Sequence, residues 1–258
     1  MTPTPATHPA PELAIVTGGA KRVGRAVALA LARAGLDVAI TYRSSRDDAQ
    51  QVVNDIEATG RRALAIELDL ARPDAADTLA HAIAPLNARV KALVNNAAIY
   101  SPTPLAELDA DAYDTFQALN ARAPLLLTQR LAPLLAAGHD PDHPATAGRI
   151  VNFLDIHVMG QPRPGYAAYS ASKAALLELT HALALELAPA ITVNAIAPGV
   201  VAWAPGMSDD EKQPYLDRTP LARPGTPDDA AEAVRWLTCD AHYCTGQIIR
   251  VDGGRLLG

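Results

Sequence analysis

The chain has 258 residues, 49% of them hydrophobic, and carries a formal net charge of −6. That length is ordinary for one α/β sheet domain, and the apolar share suffices for a sizeable core. The acidic balance, with no basic run, excludes a nucleic-acid footprint, and no stretch nears the ~20 apolar residues of a membrane span.

Residues 1–11 are rich in Pro, Thr and Ala and lack both the basic start and the apolar core of a signal segment. They read as a flexible tail ahead of one domain spanning 12–258. The first strand candidate, 13–17, runs into Gly18 and Gly19. A helical stretch over 25–34 follows, which Gly35 can end. Gly18 and Gly19 permit a tight bend, Gly24 permits close helix packing, and amides at such a helix start are ready to hold a pyrophosphate. Further strand candidates are 37–42, 63–68, 92–95, 149–154, 192–197 and 247–251. Helical stretches cover 47–59, 74–84, 111–136, 168–187 and 227–237. This alternation predicts an α/β fold, a doubly wound parallel sheet with helices on both faces.

Residues 137–148 read as an exposed loop. His139 and His143 would have metal-ligand spacing only on a helix, which two prolines oppose, so no metal is expected there. Cys239 and Cys244, the only cysteines, build neither a disulfide framework nor a metal cluster and fit a cytoplasmic protein with reduced thiols. In the 168–187 helix, Tyr169 and Lys173 stand four apart and so share a face. A free phenol ionises near pH ~10 and becomes a useful acid–base group only when a neighbouring cation acts on it.

The pieces Thr17–Gly24, Asp69, Asn95-Asn-Ala97, Asn120, Tyr169/Lys173, Pro198-Gly199 and Val251–Gly254 come in an order that resembles the short-chain dehydrogenase/reductases, from Leu13 to Gly254. The resemblance implies a Rossmann-type sheet, a nicotinamide cofactor and a homotetramer. It places Gly18, Lys21, Arg22, Val23 and Gly24 at the cofactor's phosphates, with Tyr42 close by. Asp69 and Leu70 would meet the adenine; Asn96, Ala97 and Ala98 would lie beside the adenine ribose. Pro198, Gly199 and Val201 would line the nicotinamide, and Lys173 would hold its ribose. Asn120 would interrupt its helix and serve a water-linked proton path to Lys173, with Tyr169 as general acid. At the end of the second strand a carboxylate would favour NAD and a cation would suit the 2′-phosphate of NADP. The sequence there reads Tyr42-Arg43-Ser44-Ser45, with no acid before Asp47, so Arg43, Ser44, Ser45 and Lys21 point to NADP(H).

Three residues depart from the broad family: Arg22 where most members have glycine, Asp155 where the usual catalytic serine stands, and Trp203 in place of a threonine. The first two resemble the pteridine reductases, which reduce pterins and folates with NADPH. The stretches 95–105, 155–157 and 197–203 resemble that branch as well. The resemblance implies a pterin-like substrate held by Arg22, Tyr100, Asp155, Tyr169 and Trp203, with Asp155 hydrogen-bonded to Tyr169 and keeping it protonated against the effect of Lys173. Segment 203–216 would form a flap, on which Met207 and Tyr215 either line the pocket or pack the flap down. His157 reads as a plain loop residue. Two rival readings are an NADPH-dependent 3-oxoacyl or small-ketone reductase and an NADP-binding sensor without turnover.

Overall fold

The computed structural model describes residues 11–203 and 206–257. Residues 1–10 of the expected tail and residues 204 and 205 of the expected flap lie outside the described residues. The described strands are β1 (Glu12–Val16), β2 (Asp37–Tyr42), β3 (Ala63–Glu67), β4 (Arg89–Asn95), β5 (Gly148–Phe153), β6 (Ile191–Pro198) and β7 (Ile248–Val251). They form one seven-stranded sheet in the order β3-β2-β1-β4-β5-β6-β7, with every neighbouring pair parallel. β2 and β5 are buried along their whole length, as strands covered by helices on both faces are, and this encloses the polar Asp37, Thr41, Arg149 and Asn152 as well.

Helices α1 (Arg22–Arg33), α2 (Arg46–Glu57) and α8 (Pro227–Cys239) pack one face of the sheet. On the other face lie α3 (Ala75–Ile83), α5 (Ala123–Ala136) and α6 (Ala167–Glu186), preceded by α4 (Ala110–Gln117). The strand order reverses at β1, between β2 and β4. In an open α/β sheet, ligands bind at that point, beyond the carboxyl ends of the strands.

The helix expected over 111–136 is broken by a π-helical turn at Ala118–Arg122. The cause is in the sequence: Pro124 lacks the N–H that an α-helix would send back four residues to the Asn120 carbonyl. The Ala123 N–H instead reaches Ala118, five residues back. A second difference is at the start of α1, which begins at Arg22 rather than near 25. The expected flap contains α7 (Asp209–Leu216), opened by a Ser208/Glu211 capping box. The 137–148 loop is ordered from beneath, where Lys91 donates to the carbonyls of Ala145 and Ala147 and Arg149 to that of Pro144. Among the described residues no helix is long and apolar enough to cross a membrane.

Candidate active site

A cleft of ≈ 1360 Å³ opens beyond the carboxyl ends of the strands. A drug-sized ligand needs ~300–1,000 Å³, so there is room here for a dinucleotide and a second molecule together. One wall is the turn after β1. Gly18 has φ 64°, and a Cβ on Gly19 would lie 2.5 Å from Ile40 Cγ2. A Cβ on Gly24 would lie 2.2 Å from the Gly18 carbonyl oxygen. Only glycine can bring α1 this close to the strand, and the resulting cradle suits a pyrophosphate. Thr17 Oγ1 accepts the amides of Asn96 (2.9 Å) and Ala97 (3.0 Å), fixing the end of β4 against the turn.

Lys21, Arg22, Val23, Tyr42, Arg43, Asp69, Leu70, Asn96, Ala97 and Ala98 all line this half of the cleft. Lys21 pairs with Asp48 at 2.8 Å, whereas no ion pair among the described residues engages Arg43. Ser44 and Ser45 stand just outside the cleft lining, beyond Arg43. The chain enters α2 at Arg46, so Ser45 becomes its N-cap residue and Ser44 is left exposed. Arg22 sits at φ 49°, in the left-handed region that favours glycine. It lines the cleft and donates from Nη2 to the Ala202 carbonyl at 3.0 Å.

The second half of the cleft holds the titratable groups. Tyr169 is buried and donates its hydroxyl to Asp155 Oδ2 at 2.7 Å. Burial above all, and then the Asp155 charge and hydrogen bond, push the phenol well above its ordinary range. Lys173, one turn on, donates to the Phe153 carbonyl at 2.7 Å. Its burial lowers the ammonium to about 8, with Asp155 opposing that shift. Asp155 also caps the short 3₁₀ turn Ile156–Met159 by accepting the His157 amide at 2.9 Å. His157, expected as a plain loop residue, lines the cleft instead, because that turn folds back over Asp155.

Asn120 does not line the cleft. Its amide is fully engaged behind Tyr169, exchanging hydrogen bonds with the Ile99 backbone and donating to Ser172 Oγ. Ser172 in turn donates to the Tyr169 carbonyl at 2.6 Å, so Asn120 is tied through Ser172 to the turn of α6 that carries Tyr169.

At the far end Tyr100 stacks on Tyr166 (centroids 4.9 Å, 26°) and stands edge-on to Tyr169 (4.8 Å, 81°). Arg163 donates to the Tyr100 hydroxyl at 2.6 Å, and burial raises that phenol to about 12. Neither Tyr166 nor Arg163 was flagged by motif, because a loop supplies one and a helix cap the other. Pro198, Gly199, Val201 and Trp203 line the opposite wall. Trp203 meets Tyr215 edge-on at 5.5 Å, and the Tyr215 hydroxyl accepts the Val200 amide at 2.8 Å. Trp203, Met207 and Tyr215 line the cleft, and Tyr215 also fastens α7 to the turn after β6.

A glycine-turn cradle at the sheet's reversal point and a Tyr/Lys pair at its neighbour define an oxidoreductase built around a nicotinamide cofactor. The model of a family described as enoyl-(acyl carrier protein) reductase matches residues 18–255. A 3-oxoacyl-[acyl-carrier-protein] reductase of Synechocystis sp. is 36% identical over 250 residues, covering 95% of this chain and 97% of the relative. The crystal structure of acetoin dehydrogenase YohF from Salmonella typhimurium superposes with a TM-score of 0.84 at 35% identity, covering 96% and 97% of the two chains. A blue fluorescent protein from a metagenomic library, crystallised with NADPH, gives 0.85 at 35% identity over 95% and 97%. The chain belongs to the short-chain dehydrogenase/reductase family. These names carry the family and not the pteridine reductase branch expected from Arg22 and Asp155.

Proposed function

We propose that this protein is an NADPH-dependent reductase that reduces a C=N bond in a flat, polar heterocycle of the pterin or dihydrofolate type. The observation behind this reading is the Asp155 carboxylate, 2.7 Å from the Tyr169 hydroxyl. In most family members a serine hydroxyl stands here and can donate to a carbonyl oxygen as it becomes an alkoxide. An ionised carboxylate has no proton to donate and repels a developing oxyanion. Beside a ring nitrogen that must gain a proton, the same carboxylate is an asset, since it keeps Tyr169 protonated until transfer.

When bound, NADPH would supply the hydride to the ring carbon. Gly18, Lys21, Arg22, Val23 and Gly24 would hold its pyrophosphate, Arg43 its 2′-phosphate, Asp69 and Leu70 its adenine, and Lys173 its nicotinamide ribose. Tyr169 donates the proton to the ring nitrogen, and Tyr100 provides an aromatic wall for the ring. Arg22 keeps N–H groups beyond the one given to Ala202 for a ring oxygen. A homotetramer is the assembly implied by the resemblance, and α6 leaves Leu185 exposed for such a contact.

A second reading, reduction of a 3-oxoacyl or small-ketone carbonyl by the same Tyr169 and Lys173, is better backed by the relatives' names, led by the 36% identity to a 3-oxoacyl reductase. One experiment separates the two: NADPH oxidation followed in parallel with dihydrobiopterin, dihydrofolate and an acetoacetyl thioester, with NADH as control. Turnover of the thioester alone would reject the C=N reading and leave the carbonyl one standing.

A further inference from the structure

At the substrate end of the cleft the fold buries a guanidinium two of whose nitrogens have no hydrogen-bond partner. Gly253 and Gly254, at φ 62° and 84°, turn the chain after β7 and bring Arg255 back into the protein. Arg255 lines the cleft and is 7% exposed, yet its Nε and Nη1 are buried with no hydrogen-bond partner. Asp252, whose charge acts on Arg255, and Glu211 both have hydrogen bonds elsewhere. Asp252 accepts the amides of Gly254 (2.9 Å) and Leu256 (3.1 Å). Glu211, on the same wall, is held by the Ser208 amide (2.7 Å) and hydroxyl (2.9 Å). The guanidinium carbon rests 4.9 Å from the centroid of the Tyr215 ring. Arg218 lines the cleft too, and burial together with this like charge lowers the Arg255 pKa. Buried polar groups in native folds are nearly always partnered, and a buried cation most of all. A partner that arrives with the ligand accounts for both unpaired nitrogens.

We propose that Arg255 is an anion subsite that selects substrates bearing a carboxylate at the end remote from the reducible bond. A guanidinium fork fits a carboxylate bidentately, which gives direction as well as affinity. The Tyr215 ring under Arg255 also touches Trp203 and anchors Val200, so the subsite is continuous with the reacting end of the cleft. The choice of ring rests on the C=N reading. Within that reading the subsite favours a dihydrofolate-type substrate, whose glutamyl tail is anionic, over a dihydropterin with a neutral side chain.

Two measurements test it. The first is calorimetric binding of N-(4-aminobenzoyl)-L-glutamate and of its uncharged diamide to the NADPH-loaded enzyme. The anionic fragment should bind at least about tenfold tighter, the scale of one charged hydrogen-bonded pair. That preference should vanish in Arg255→Met and partly return in Arg255→Lys. Absence of any preference in the wild type overturns the subsite, whatever ring the enzyme reduces. The second is the ratio of KM for dihydrofolate to KM for dihydrobiopterin, which should rise about tenfold or more in Arg255→Met. Equal movement of both KM values would assign Arg255 a packing role and overturn the proposal. Failure to turn over either pterin would sink the C=N reading while the fragment result still decides the subsite.

Discussion

At the cofactor end the cleft is made of backbone: three glycines set so tightly that a methyl group on Gly24 would meet the Gly18 oxygen at 2.2 Å. At the substrate end it is made of side chains delivered from far apart, with Tyr100 after β4, Asp155 after β5, Tyr169 on α6, Trp203 after β6 and Arg255 after β7. The first end recognises what every member's cofactor shares, phosphates and sugars, and needs amides in a fixed shape. The second must recognise what distinguishes one substrate from another, and that takes ring faces and charges. In the proposed reaction the chemistry sits at the seam, where Tyr169 and Lys173 stand between the two ends.

The seam gives the sharpest way to break this comparison. Tyr169→Phe removes the proton donor and should lower kcat about 10²- to 10⁴-fold, while NADPH affinity, followed by cofactor fluorescence, moves far less. At the cofactor end, Arg43→Ala should cut the NADPH-over-NADH preference in kcat/KM about 10- to 100-fold, the value of charge-assisted hydrogen bonds to one phosphate. An unchanged preference would mean that Arg43 faces only solvent. At the substrate end, Asp155→Ser should shift the ratio of thioester to dihydropterin turnover about tenfold toward the thioester, since a donor replaces an acceptor. A ratio that stays put would remove Asp155 from substrate choice.

The smallest effect is a pH dependence. Lys173 has its ammonium lowered to about 8, so its charge is complete below that pH and lost above it. NADPH affinity should therefore weaken as pH rises through about 8. Because the Asp155 charge favours the ammonium, Asp155→Asn should move the transition to lower pH. Binding titrations at several pH values would show whether the seam is electrostatically shared or whether each residue acts alone.

The same division explains what could be read from the sequence. All seven strands were legible as short, mainly apolar and β-branched segments alternating with helical stretches, and the glycine turn because its chemistry is local. The interruption at Asn120 came from the resemblance, while the π-helical form of the turn at Ala118–Arg122 did not, although Pro124, four residues after Asn120, was its signal. That Ser45 would cap α2 was not legible, because a strand end does not reveal how soon the next helix begins. His157 looked idle because the turn that carries it over Asp155 is set by a side-chain cap. Arg255 gave no periodic or motif signal at all; its placement depends on two glycines and on what the flap covers. Convergence of distant side chains is a tertiary fact, whereas the cradle is nearly a secondary one.

Arg22 has a consequence for how this turn can change. A glycine would adopt φ 49° freely, whereas a non-glycine residue held in a sparsely populated region stores roughly 1–3 kcal/mol. The protein therefore keeps a guanidinium over the cleft against a standing conformational penalty at its first helix. Selection for heat resistance alone would push position 22 toward glycine and, in doing so, erase the most distinctive polar group of the turn. Robustness and discrimination pull on that one residue in opposite directions.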